Sequence, residues 1–125
     1  MVTLKNNIIK GGFEPAAITS VNVRNTTAGA IEEVIFTPTC ADDKTFIMIE
    51  NKNESGHTLT VRVEDSANAG KYPYVIKVPQ ATAAMVAVET AYVLKKNGTV
   101  KLLFAPPTGV NLTACGASAY AISRA

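Results

Sequence analysis

The chain predicts an all-β fold, a single antiparallel β-sandwich of about eight or nine strands, and three observations carry that prediction. Thirteen Val and fourteen Thr among 125 residues favour pleated, half-buried surfaces. Turn residues recur about every ten positions, the rhythm of a sandwich or barrel. No segment keeps an apolar i, i+3, i+4, i+7 pattern with caps at both ends, so a long helix is not expected. A chain of this length forms one domain and buries roughly two-thirds of its unfolded surface, so it folds without disulfide or metal. Strand count and spacing fit an immunoglobulin-like and a jelly-roll-like order equally well.

Residues 1–18 read as an N-terminal arm or a loosely packed first strand, broken by Gly11-Gly12 and Pro15, and residues 19–125 as the sandwich. Ile18 to Thr26 alternates, with Val21 and Val23 on one face. Ala30 to Thr37 follows a Thr27-Ala28-Gly29 turn, and a phase slip between Ile31 and Val34 suggests a bulge or a short helical turn. Pro38 to Asp43 is a loop. Thr45-Phe46-Ile47-Met48-Ile49-Glu50 is apolar on both faces, which predicts a central strand buried on both sides. After a polar turn at Asn51–Gly56, Thr58 to Glu64 alternates strictly, with Leu59, Val61 and Val63 inward. These two strands are expected to form a β-hairpin. Asp65 to Lys71 is a loop. Tyr74 to Val78 is a strand ended by Pro79, which cannot donate to a central ladder. Gln80–Ala83 turns into a strand over Met85–Glu89. Asn97-Gly98 marks a hairpin leading into Thr99–Phe104. Beyond the Pro106–Gly109 turn, Val110–Ala114 and Ser118–Ser123 read as the last two strands.

Composition narrows the function classes. Twelve basic and ten acidic residues give a net charge of +2, without the Lys/Arg stripe that phosphate contacts need, so no nucleic-acid partner is expected. There is no run of 18 apolar residues to span a membrane and no signal-peptide pattern at Met1–Asn7, which predicts a protein made in the cytoplasm. Charged residues make up 18% of the chain and Ala, Thr and Val fill the gap, an exterior suited to packing against another subunit.

Motifs that carry chemistry are sparse. Cys40 and Cys115 match no zinc or redox spacing and are expected to be buried free thiols. His57 sits at the mouth of a turn with no second ligand at metal spacing. Asp42-Asp43 and Glu32-Glu33 lack the regular oxygen spacing of a calcium loop and read as solvated charges. Asp65 with Asn68 offers no more than a weak surface ion site. Asn25, Asn53, Asn97 and Asn111 head Asn-x-Ser/Thr triplets, which places them at turns or exposed positions. No catalytic residue, metal site or cofactor is expected. Tyr72-Pro73-Tyr74 is the one aromatic pair beside a loop. It reads as a Pro-stiffened strand start or as a contact patch for a protein or glycan.

Residues 44–104 carry a resemblance. Lys44-Thr45-Phe46-Ile47-Met48-Ile49-Glu50-Asn51, a polar turn and Leu59-Thr60-Val61-Arg62-Val63 form its first half. A strand ending in Val78-Pro79, a small-residue turn, an apolar strand to Glu89 and Val93-Leu94-Lys95-Lys96-Asn97-Gly98-Thr99-Val100 form its second. This order resembles small structural proteins of tailed phages and prophages that decorate capsids. The resemblance implies a non-catalytic virion protein that binds a major capsid protein lattice and forms a homo-oligomer, with a trimer favoured. It also implies that Met1 to Gly12 is an arm whose Lys5 and Lys10 meet acidic surfaces. With Tyr72 and Tyr74, these lysines are the expected partner contacts. The other reading is an immunoglobulin-like adhesion module or a carbohydrate-binding module.

Overall fold

The computed structural model describes residues 1–124 and shows a β-sandwich of two five-stranded sheets. The strands are β1 (Val2–Thr3), β2 (Asn6–Ile9), β3 (Val21–Asn22), β4 (Glu32–Phe36), β5 (Thr45–Asn51), β6 (Leu59–Val63), β7 (Tyr74–Val78), β8 (Thr82–Ala87), β9 (Val100–Ala105) and β10 (Ala117–Arg124). The first sheet runs β1-β4-β9-β6-β7. The second runs β2-β10-β5-β8, with β3 also on β10. Numbering β3 to β10 from one to eight gives the orders 1-8-3-6 and 2-7-4-5. That is the connectivity of a jelly roll, not of an immunoglobulin domain.

Every pairing among β3 to β10 is antiparallel, but β1 lies parallel to β4 and β2 parallel to β10, so both sheets are mixed. Of the two readings of residues 1–18, arm or first strand, the structure has strand over most of residues 2–9. Residues 2–9 form one strand in each sheet, and Leu4 between them is buried in the core. Only residues 10–20 are a loop. It is almost wholly exposed, with Phe13 fully solvated at its tip in the left-handed region (φ 59°).

The core is asymmetric in volume. β10 contributes Ala117, Ala119 and Ala121, all fully buried, while Phe36, Phe104, Leu59 and Leu102 of the facing sheet supply the bulk. Each of these large side chains stabilises the fold by roughly 1.5–3 kcal/mol on burial. Strand phase follows the alternation in β6 (Leu59, Val61, Val63 buried) and in β4 (Val34, Phe36 buried). Ile31 lies outside β4 and is exposed, and the β4–β9 register is unbroken from Glu32 to Phe36, so no bulge accommodates the phase slip.

Three further expectations are corrected. β5 and β6 are not a hairpin, because β5 lies in the second sheet and β6 in the first. Asn51 shows why. Its side-chain amide donates to the backbone carbonyls of His57 (2.8 Å) and Val78 (2.9 Å), the latter on β7 of the first sheet. Asn53 donates to Asn51 Oδ1 and to the His57 carbonyl (2.9 Å), and accepts from the Ser55 and His57 amides (both 3.1 Å). This buried pair bends the chain across the sandwich rather than back on its own sheet. Asn53 thus lies in the turn, but buried within it. Asn97-Gly98 closes a local turn, with the Gly98 amide donating to the Lys95 carbonyl and that of Lys95 to Thr99. The flanking β8 and β9 nevertheless belong to different sheets. Residues 110–114 are not a strand. Leu112–Cys115 is one helical turn (α1), capped by Asn111, whose Oδ1 accepts from the Ala114 amide (2.7 Å), and ended by Gly116 in the left-handed region. A methyl group on Gly116 would also lie 3.3 Å from Lys52 Cβ.

Replacing Asn51 by Leu strands two buried carbonyls and is expected to cost about 2–3 kcal/mol, read as a lower urea midpoint at unchanged m. A loss below about 0.5 kcal/mol, the range of neutral surface changes, would contradict the pinning role.

Candidate interaction surface

A pleated strand can bury only one of its faces in a two-layer sandwich. β5 turns Thr45, Ile47, Ile49 and Asn51 inward, all buried, which leaves Phe46, Met48 and Glu50 on the outside. The expectation that this strand is covered on both faces is thus corrected: it is central, but Phe46 is 37% exposed. The ladders set the neighbours. Phe46 lies between Ala87 of β8 and Ile122 of β10, Met48 between Met85 and Tyr120, and Glu50 between Ala83 and Ser118. Nine positions on three strands therefore carry one carboxylate and otherwise small or apolar groups, with Phe46, Ala83, Met85 and Ala87 exposed, Met48, Glu50, Tyr120 and Ile122 half-buried and Ser118 buried. Ser118 has the one buried side-chain oxygen without a partner among the described residues. The grid is bounded by charge, with exposed Lys44 and Arg124 beyond Phe46 and Ile122 and exposed Lys52 beyond Glu50.

The sandwich gapes between β7 and β8, one edge strand from each sheet. A cavity of about 190 Å³ opens there, lined by Ile47, Val63, Ile76, Val86, Val100 and Leu102. At its rim Tyr74 Oη donates to Glu89 Oε2 (3.2 Å). Burial, then that hydrogen bond, pushes the Tyr74 hydroxyl pKa above its usual range.

The anticipated contact residues do not converge. Lys5 is exposed in the link between β1 and β2, whereas Lys10 lines a shallow hollow with Glu14 and Pro15. Tyr74 is half-buried at the cavity rim. Tyr72 is exposed, with the Arg62 guanidinium 6.0 Å from its ring centroid, a cation–π contact. The apolar grid was missed because its residues were assigned to the core. Alternation of burial along β5 cannot be read from a segment apolar at every position.

Other polar groups have structural work. Asp42 Oδ2 accepts from the Thr90 amide (2.8 Å) and hydroxyl (3.1 Å). Asp65 Oδ2 accepts from the Ala67 and Asn68 amides and the Asn68 side chain, closing its loop. Cys115 is buried, which raises its thiol pKa, whereas Cys40 is half-buried rather than buried. Among the described residues, no three His, Cys, Asp or Glu side chains stand together as metal ligands, and no helix is long and apolar enough to cross a membrane. The chain matches no protein-family model, no curated protein and no solved structure.

Glu64 anchors the 90–99 segment. Its buried carboxylate meets Lys95 Nζ at 2.8 Å and Lys101 Nζ at 3.8 Å, and Lys95 also donates to the Asp65 carbonyl. The Lys95 hydrogen bond, against an opposing desolvation cost, holds the Glu64 carboxyl below its ordinary value of 4.5. A depressed folded-state value means the contribution is fully present above the unfolded glutamate pKa and is lost as pH falls through the folded one. Stability is therefore expected to fall on acidification below about pH 4.5, and Glu64→Gln to flatten that fall. Part of the slope remains, since Glu32 and Asp65 are lowered too. Urea unfolding across pH checks this, and an unchanged slope in the variant would contradict it.

Proposed function

We propose that this chain is a non-catalytic structural protein of a phage or prophage virion that decorates or stabilises a capsid, docking through the outer face of the second sheet. The observation that carries the reading is the apolar grid around Phe46, Met48, Met85, Tyr120 and Ile122 on the outer face of the second sheet, with Phe46 and Met85 exposed and the others half-buried. Contiguous apolar faces of this kind mark protein contacts. Two further observations support it. The resemblance spans residues 44–104, which include two of the three grid strands, β5 and β8. The jelly-roll connectivity is one used by viral capsid domains, although connectivity alone does not assign function. On this reading the protein is made in the host cytoplasm and carried in the virion, its partner the major capsid protein lattice. The exposed Phe13 at the tip of the 10–20 loop supplies a second, smaller anchor.

A carbohydrate-binding reading has one observation in its favour, the exposed Tyr72 ring held by Arg62 beside the Pro73 turn. Jelly rolls also serve as lectins. Binding on a glycan panel, lost in Tyr72→Ala, would favour it.

Co-sedimentation with heads of the phage that carries the gene tests the main proposal. Saturable binding of the native protein is expected, with Phe46→Asp abolishing it while far-ultraviolet circular dichroism stays unchanged. Phe13→Ser is expected to weaken binding without abolishing it. Absence of binding by the folded native protein at micromolar concentration, or full binding by Phe46→Asp, would contradict docking through this face.

A further inference from the structure

We infer that β8 is the seam of a two-fold homodimer, paired edge to edge with β8 of a second copy. β8 ends the second sheet, so one of its edges is free. The register with β5 fixes which groups are free. Thr82, Ala84 and Val86 stand opposite Asn51, Ile49 and Ile47, in the same ladder as the Val88 amide that donates to the Thr45 carbonyl (3.0 Å). Backbone groups alternate in direction along an antiparallel strand. The amides and carbonyls of Ala83, Met85 and Ala87 therefore point away from β5 and have no partner among the described residues.

Soluble proteins shield such edges with Lys, Pro, bulges or very short strands. The other free edges here have that protection. β1 has two residues, β2 is followed by Lys10, and β7 carries an exposed Lys77 and stops at Pro79. β8, Thr-Ala-Ala-Met-Val-Ala, contains no ionisable residue and no proline, and its register with β5 is unbroken over six residues. Met85 at its centre is 52% exposed.

The edge is complementary to itself in one register. Setting Met85 opposite Met85 of a second, antiparallel copy places Ala83 opposite Ala87 and Ala87 opposite Ala83. All three residues with free backbone groups then form hydrogen-bonded pairs, and outward side chains meet outward ones. A shift of one residue would set inward Ala84 or Val86 against outward Met85 or Ala87, flipping one sheet relative to the other. The same register puts Glu89, the nearest acid, opposite Ala81 in the turn before β8, so the two glutamates do not face each other. The two second sheets become one, and their apolar outer faces lie side by side. This seam goes beyond the proposed docking and is tested on the isolated protein, so either idea can fail without the other.

Sedimentation equilibrium with residue-resolved amide exchange over a concentration series provides the test. The expected result is a dimer, with the Ala83, Met85 and Ala87 amides gaining protection as concentration rises and those of Ala84 and Val86 protected throughout. Met85→Lys and Met85→Glu, each at a half-exposed position, are expected to be folded monomers that form a heterodimer when mixed in equal amounts. A monomer at hundreds of micromolar would overturn the seam. So would a trimer, an oligomer whose three outward amides exchange freely, or folded charge variants that fail to re-associate.

Discussion

The constraint on which the structure depends is the pleat of β5. In the centre of its sheet this strand has apolar side chains on both faces, but a two-layer sandwich offers cover for one. Ile47 and Ile49 take the covered side, opposite a sheet that supplies Phe36, Phe104 and Leu102. Phe46 and Met48 are left outside, where β8 and β10 add Met85, Ala87, Tyr120 and Ile122 in register. The fold cannot bury that second face by local rearrangement. A one-residue slip would expose Ile47 and Ile49 and move Thr45 and Asn51 out of their hydrogen bonds.

The buried asparagines convert this constraint into topology. Asn51 ends β5 facing inward, and its amide reaches across the sandwich to β7. Because Asn53 takes up the intervening turn, the chain leaves one sheet and starts the other within eight residues, from Asn51 to Leu59. The β7–β8 connection crosses back beside it, tied down by the Ala81 amide on the Asn53 carbonyl (2.9 Å). Two sheet crossings therefore share one polar knot. Glu64 performs a similar task at the 90–99 segment, where Lys95 and Lys101 neutralise a carboxylate that would be costly to bury alone. Asn51 ties the two sheets together, Glu64 holds the 90–99 segment, and the sandwich is open along the β7 and β8 edges.

Much of the sandwich was legible because alternation survives in β6, in β9 (Val100, Leu102, Phe104) and in β10, and because Pro79 ends β7. What was not legible has physical causes. A polar turn between two apolar strands has the same composition whether the chain doubles back as a hairpin or arches to the other sheet, so β5 and β6 looked paired. The β1 and β2 strands are two and four residues long, too short for a periodic signal. The helical turn at Leu112–Cys115 had its signal in the Asn111 cap and Gly116 stop, which weigh more than the single Val110 and Leu112 that suggested a strand. The site was hidden for a different reason. Phe46 and Met48 satisfy every compositional criterion for a core, and composition does not distinguish a second sheet from a second subunit as the cover.

The three methionines provide the most direct measurement of the central claim, that the outer face of the second sheet is the contact face. Met1 is exposed away from the grid, whereas Met48 and Met85 form its middle row. Hydroxyl-radical footprinting, read by mass spectrometry, should oxidise all three in the dilute free protein. On phage heads Met48 and Met85 should become protected while Met1 continues to react. Oxidation of Met48 and Met85 at the free rate on saturated heads would contradict the account.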